Sequence, residues 1–283
     1  MKKGQKIKIV VIVLACVALD IILHIITSSY STMPENPNFS LVASILGIEI
    51  TASLWALFAF SGVAFVYLNI WNEIPAEGVK KGLLYGAAIA LLWQFAMLEG
   101  VSLFGNPIIN EVVVGLSDAI PVFVLSILLS KLQTEKVEGD PSATFALRQK
   151  IKAVTIFTVI FLTGRYIAYL SGVIQSGNQA RPLQTFIWTL LMGVSIGAVF
   201  ILLGDSRNGR SLKHRAVKFG FLIFGLNWSV FLAFMPILFS GYLVDVLSRI
   251  VIDILLVTSG YYLIFSLGSS PSLKRMSGNF CIK

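Results

Sequence analysis

Charged residues and cysteines are scarce in this sequence of 283 residues. Asp, Glu, Lys and Arg make up 13% of the chain and hydrophobic residues 56%, whereas an ordinary soluble domain has about 25% and 45–50%. A soluble or disordered chain needs more charge, because polar groups must face the water. Two cysteines, Cys16 and Cys281, are too few for a disulfide scaffold. The composition therefore excludes a soluble enzyme, a disordered protein and a disulfide scaffold, and it predicts a polytopic membrane protein.

Apolar stretches long enough to cross a bilayer recur along the whole chain. A transmembrane helix needs about 20 such residues, and these stretches are too long and too little alternating in polarity to be strands. Eight spans are predicted, with approximate limits 8–29, 41–70, 80–104, 109–131, 152–174, 184–204, 216–239 and 243–267. We therefore expect an all-α fold, a polytopic bundle of eight transmembrane helices in a single membrane domain over residues 1–283.

Lys and Arg are concentrated on one side of the predicted membrane. Of the 22 basic residues, 19 lie in the N-terminal segment, the second, fourth and sixth connections and the C-terminal tail. The loops on the opposite side contain a single basic residue, Arg181. Since cytoplasmic segments carry the positive excess, the sequence predicts a multi-pass protein of the cell membrane with both termini in the cytoplasm. The connection 132–151 and the tail 269–283 would lie on the same side.

The net charge of +8 has a simple explanation in this topology. Basic residues spread over short segments on one membrane face suit contact with anionic lipid headgroups. A nucleic-acid binder would instead concentrate them on one surface with interleaved aromatic residues. We therefore expect the lipid bilayer as a partner and no nucleic acid.

The two halves of the chain resemble each other at constant spacings. At a spacing of 135 residues Trp93 is matched by Trp228 and Asp118 by Asp253. At a spacing of 144 the stretch Gln5-Lys6-Ile7-Lys8 is matched by residues 149–152. We expect two four-helix repeats, at 1–133 and 145–268. Because four spans is an even number, both halves would have the same orientation, as in transporters built from parallel repeats.

Ionisable residues inside the predicted spans are the candidates for a functional site. Near the bilayer centre each costs about 2.5–3.5 kcal/mol on insertion scales, so each needs a partner or a function. These residues are Asp20 and His24 in span one, Glu49 in span two, Glu99 in span three, Asp118 in span four, Arg165 in span five and Arg249 and Asp253 in span eight, with Glu111 and Asp245 near outer helix ends. None lies in the inner third of the membrane, so we expect a cavity open toward the outside.

Helical spacing suggests how these charges pair. Asp245, Arg249 and Asp253 follow one another at four-residue spacing, so Arg249 can bridge both acids. Asp20 can pair with His24 one turn away, or with Arg165, which takes the equivalent place in the second half. Cys16, Asp20 and His24 are also one turn apart, but a metal site needs three or four ligands and the other histidine, His214, lies in a loop. No metal or cofactor is therefore predicted.

The balance of these charges favours transport. Five carboxyls face two arginines in the spans, and a buried carboxyl without a partner takes a proton or holds a cation. We therefore interpret the chain as a small secondary carrier or permease, coupled to protons or a cation, for a small molecule or ion. Its binding site would lie between the halves and contain Asp118, Asp253, Glu49, Glu99 and Arg165. The remaining residues, Asp20, His24, Arg249, Asp245 and Glu111, would form charge pairs or a gate.

Two other functions stay open on the sequence. An intramembrane enzyme could use Asp118 and Asp253 as an acid/base pair, although their flanks lack the patterns typical of aspartyl intramembrane proteases. A non-catalytic membrane subunit or sensor would have a membrane-protein partner. The small-residue patterns Gly82-x3-Gly86 and Gly193-x3-Gly197 are expected only to let helices pack closely.

Overall fold

The computed structural model describes residues 3–32, 37–133, 145–204 and 210–266. These residues are all-helical and contain no strand. Most of the predicted connection 132–151 and the whole tail 269–283, with Cys281, lie outside the described residues.

Long helices alternate with short ones along the chain. The helices are α1 (Lys3–Ile26), α2 (Leu41–Leu46), α3 (Ile48–Ile70), α4 (Val79–Met97), α5 (Glu99–Leu103), α6 (Ile108–Leu132), α7 (Leu147–Leu170), α8 (Pro182–Leu203), α9 (Leu212–Val217), a π-helix (Lys218–Leu226), α10 (Asn227–Leu232), α11 (Phe234–Leu238) and α12 (Leu243–Ser266). Three of the predicted spans are thus divided. Gly47, for example, separates α2 from α3 because its φ of +83° is incompatible with a continuous helix.

Seven helical stretches in the described part of the chain are long and apolar enough to cross a membrane. They are Gly4–Ile26, Ile48–Glu73, Val79–Leu103, Ile108–Leu132, Leu147–Leu170, Pro182–Leu203 and Leu212–Leu238. The prediction of a multi-pass helical membrane protein is therefore confirmed. The predicted eighth span corresponds to α12, which has 24 residues but is not one of these seven.

Glycines allow the closest helix contacts. A Cβ atom added to Gly82 would lie 2.5 Å from the carbonyl oxygen of Ser126 in α6. A Cβ added to Gly193 would lie 2.7 Å from the Cα of Thr158 in α7, and one added to Gly197 would lie 2.7 Å from the Cα of Val154 in the same helix. Both small-residue patterns therefore serve helix packing, as the sequence predicts.

The π-helix is a second device for close packing. Gly220 lies within it against α12, where an added Cβ would be 1.9 Å from the Thr258 hydroxyl oxygen. The helix returns to the α form at Asn227, directly before Trp228. The wider turn thus sets the approach of this segment to α12, and with it the place of the buried Trp228 side chain.

Two pairs of long helices contact each other, α1 with α6 and α7 with α12. Helix α1 packs against α6 and α3, and α12 packs against α7 and the π-helix. Helix α4 contacts α6 on one side and α8 on the other. The buried charges of α1 and α6 therefore meet in one place, and those of α7 and α12 meet in another.

Candidate functional site

Most of the charged residues that the sequence analysis places in the spans gather into two groups. The histidine group consists of Asp20 and His24 from α1 and Asp118 from α6. The arginine group consists of Glu99, Arg165, Asp245, Arg249 and Asp253, from α5, α7 and α12. Nearly all of the charged residues singled out in the sequence belong to one group or the other.

Arg165 and Asp253 form the centre of the arginine group. The Arg165 Nε donates to Asp253 Oδ1 at 2.7 Å, and its Nη2 donates to Asp253 Oδ2 at 2.5 Å. Trp228 Nε1 also donates to Oδ2, at 2.9 Å. Neither Arg165 nor Asp253 has any exposed surface. A bidentate guanidinium–carboxylate pair with both oxygens bonded is the strong form of this interaction.

Arg249 extends the group toward the end of α12. Its Nε donates to Asp245 Oδ2 at 2.5 Å, and its other nitrogens donate to Glu99 Oε1 and to the carbonyl oxygen of Gln175. Arg165 Nη1 reaches the same Glu99 oxygen at 3.4 Å. The predicted bridge from Arg249 to both acids of its helix is thus half right, because Asp253 is held by Arg165.

The predicted pair between Asp20 and Arg165 does not form. Arg165 is bonded to Asp253 and Glu99, and Asp20 lies beside His24. The physical reason is helix packing, since α7 packs on α12 while α1 packs on α6. The alternative pairing of Asp20 with His24 agrees with the structure.

The histidine group joins three side chains around one small volume. His24 Nε2 lies 3.1 Å from Asp118 Oδ1 and 3.8 Å from Asp20 Oδ1. The possible ligand atoms of the three residues all lie within 4.8 Å of one another. Asp20 and Asp118 are buried, whereas 32% of the His24 side chain is exposed. The group is therefore buried at its acids and accessible at its imidazole.

The hydrogen bonding of one carboxylate in the histidine group is incomplete. Asp20 Oδ1 is buried and has no hydrogen-bond partner in the part of the chain that the structure describes. Directly after the end of α1, the hydroxyls of Thr27 and Ser117 bond to each other at 2.9 Å. Since a buried polar atom without a partner is costly, the group is suited to take up a proton or a cation.

Comparisons with known proteins give no relative for this chain. No family model, curated protein or solved structure matches this chain. The chemistry of the two groups therefore follows from their own geometry.

Asp118 and Asp253 do not come together in one site. Asp118 faces His24, and both oxygens of Asp253 are bonded to Arg165 and Trp228. A carboxyl pair can act as acid and base only when the two share a proton or a water molecule. The arrangement expected of the enzyme alternative is therefore not formed. A single cavity that wets all the charges is not formed either, because Arg165 and Asp253 are fully buried.

Glu49 and Glu111 belong to neither group. The exposed Glu49 lies at the first turn of α3, in a groove shared with Leu14 and Val17 of α1. Glu111 is buried against Gly100 and accepts a hydrogen bond from Asn106 Nδ2 at 2.5 Å. Glu111 thus fixes the loop before α6.

Several partners of the charges were missed by the sequence reasoning. Trp228 was noted only as half of a repeated tryptophan pair, and the carbonyl of Gln175 was not considered. A hydrogen bond from Trp228 could have been predicted, because a tryptophan in an apolar segment needs an acceptor for its indole N–H. Cys16, grouped with Asp20 and His24 by spacing, is buried but is not part of the histidine group, where Asp118 supplies the third side chain.

The stretch Gly193-Val194-Ser195-Ile196-Gly197 has the spacing of a hydrolase nucleophile motif. It lies inside α8, where Ser195 is buried and donates to the Met192 carbonyl oxygen at 2.8 Å. A nucleophilic serine of this kind stands on a strained turn between strand and helix. The stretch is therefore a packing element.

Proposed function

We propose that this protein is a small carrier of the cell membrane, coupled to protons or a cation, and that the histidine group is its ion site. The observation that carries the proposal is the surplus carboxylate oxygen of Asp20 beside a partly exposed imidazole. The proposal includes eight spans in two four-helix halves and both termini in the cytoplasm. The transported solute is a small molecule or ion.

The properties of α12 support an eighth span. Its 24 residues would extend about 36 Å, enough to cross the hydrocarbon core. Its charged residues, Asp245, Arg249 and Asp253, are bonded within the arginine group and so do not face lipid. Its neighbours α7 and the π-helix both lie in apolar spans.

Helix boundaries support the two halves. Helices α5 and α11 begin and end 135 residues apart, and α6 and α12 begin 135 residues apart. Helices α1 and α7 end 144 residues apart. These are the two spacings at which the sequence repeats itself, so helix breaks and sequence matches agree.

Contacts between the halves are also reciprocal. Trp55 Nε1 of α3 donates to the Val230 carbonyl oxygen at 2.8 Å, and Trp188 Nε1 of α8 donates to that of Phe95 at 2.8 Å. The two acceptors are 135 residues apart. In the first half Asp118 of α6 lies against His24 of α1. In the second half Asp253 of α12 lies against Arg165 of α7. Two parallel repeats around an axis along the membrane normal would have such an arrangement.

The histidine group differs from the arginine group in whether its positive charge is permanent. The arginine group has three carboxylates against two guanidinium groups, which are always charged. The histidine group has two carboxylates against one imidazole, whose charge changes near neutral pH. Two buried carboxylates beside a neutral imidazole are stable only with an added proton or cation. This makes the first half the one that can take up and release an ion.

The proposal is tested with the purified full-length protein in liposomes that hold a pH-sensitive or metal-sensitive dye. Under an imposed gradient of protons, monovalent cations or divalent cations, we expect at least one flux well above that of protein-free liposomes. Asp118→Asn abolishes this flux, and Glu49→Gln, which changes an exposed acid outside both groups, preserves it. Wild-type flux at the protein-free level under every gradient overturns the carrier and favours a subunit or sensor. Equal flux in Asp118→Asn and wild type overturns the assignment of the site.

A further inference from the structure

The histidine group has the dimensions of a metal site. In zinc sites the nitrogen and oxygen ligands lie about 2.0–2.2 Å from the ion, so neighbouring ligands are roughly 3–4 Å apart. The two measured separations, 3.1 Å to Asp118 and 3.8 Å to Asp20 from His24 Nε2, fall in this interval. All three possible ligand atoms lie within 4.8 Å of one another. One ion can therefore contact all three side chains with only small rotations.

The surroundings of the Asp20 carboxylate favour the binding of a cation. Its side chain is only 4% exposed, and Oδ1 accepts no hydrogen bond from any described residue although it faces His24. In the arginine group, by contrast, Arg165 and Arg249 donate to all three carboxylates. The histidine group has no fixed positive charge of this kind. A bound cation would supply it and would satisfy Asp20 Oδ1 at the same time.

The ligand types select the class of ion. Imidazole nitrogen binds Zn²⁺, Co²⁺ and similar transition metals, whereas Ca²⁺ and Mg²⁺ prefer sites made wholly of oxygen. Three protein ligands leave a fourth position free for water or another group, unlike a closed structural zinc site. The His24 imidazole is the partly exposed ligand of the three, whereas both aspartates are buried. Such a site can exchange its ion.

We infer that Asp20, His24 and Asp118 bind one divalent transition-metal ion per chain. The site itself stands on its geometry. That the bound metal is the transported or coupling cation rests on the proposed function.

The inference is tested by metal binding to the purified full-length protein in detergent, after treatment with a chelator and without a histidine tag. Co²⁺ is the probe, because its visible absorption reports the ligand geometry, and Zn²⁺ is the competitor. All variants are made in a background with Cys16→Ala, His214→Ala and Cys281→Ser, which removes both cysteines and the other histidine. We expect one Co²⁺ per chain, displaced by one Zn²⁺.

Matched variants separate the site from general binding to acids. Asp20→Asn, His24→Gln and Asp118→Asn each weaken Co²⁺ binding at least tenfold, whereas Glu49→Gln and Glu111→Gln leave it within twofold. Gel filtration and thermal unfolding verify that each variant is folded. The inference is overturned if the background protein binds no stoichiometric Co²⁺, or if none of the three site variants weakens binding.

The outcomes also distinguish this inference from the proposed function. Stoichiometric Co²⁺ binding without any ion flux in liposomes leaves the metal site and overturns the carrier. Proton flux that depends on Asp118, with no Co²⁺ or Zn²⁺ binding, leaves the carrier and overturns the metal site.

Discussion

The histidine group and the arginine group each join two long helices but differ in how their charges are balanced. The first group joins α1 with α6, and the second joins α7 with α12. Arg165 carries a permanent charge and both oxygens of its partner Asp253 are bonded. His24 has a variable charge, and Asp20 Oδ1 beside it accepts no hydrogen bond from the part of the chain that the structure describes. The comparison teaches that two helix pairs can differ in whether the positive charge that faces their acids is permanent or depends on pH.

The largest expected effect is on stability in the arginine group. Removing one partner of a buried pair leaves an uncompensated charge and costs about 3–5 kcal/mol. Arg165→Met should therefore lower the unfolding free energy by roughly this amount, as measured by thermal or denaturant unfolding in detergent. The double variant Arg165→Met with Asp253→Leu should recover part of the loss. A single variant as stable as wild type would show that the pair does not stabilise the bundle.

The next effect concerns stabilisation by metal. A ligand that binds only the folded state adds about 2.7 kcal/mol at 100 times its dissociation constant. Zn²⁺ at such a concentration should raise the melting temperature of the wild type but not that of Asp20→Asn. Without metal, Asp20→Asn should be at least as stable as wild type, because it removes one of two buried carboxylates that lie beside a single imidazole. An equal rise in both proteins would place the metal elsewhere.

A further effect concerns pH. Metal ligands must be deprotonated, so protons compete with the ion and lower its apparent affinity as the pH falls. Co²⁺ binding should therefore weaken by about tenfold or more between pH 8 and pH 6, because protons compete with the ion for the His24 imidazole and for the buried Asp20 and Asp118 carboxyls. Titrations followed by Co²⁺ absorption measure this directly. Binding that is independent of pH over this range would exclude His24 as a ligand.

The smallest expected effect tests the relation between the halves. Trp55→Phe and Trp188→Phe each remove one indole hydrogen bond to a backbone carbonyl in the other half. A bond of this kind contributes about 0.5–1.5 kcal/mol, and we expect similar losses of unfolding free energy for the two variants. Markedly unequal losses would argue that the two contacts are not equivalent.

Part of the fold and of the candidate site was predictable from the sequence. Long apolar runs gave the helices and the membrane character, and four-residue spacing placed Asp20 beside His24 and Asp245 beside Arg249. The breaks at Leu98 and Ala233 were not predicted, because they depend on packing rather than on a Gly or Pro in the sequence at those positions. Asp118 and Asp253, which were expected in one site, lie in different groups because α6 packs against α1 and α12 packs against α7.

The sequence by itself determined that this chain is a multi-pass membrane protein and where its apolar helices run. Apolar length and residue spacing are local properties, and they act before any two distant segments meet. Only the tertiary structure decided which buried charges become partners. His24 meets Asp118 across 94 residues and Arg165 meets Asp253 across 88. These partners depend on which helices pack together, because a buried charge is stabilised only by groups that packing brings within a few ångströms.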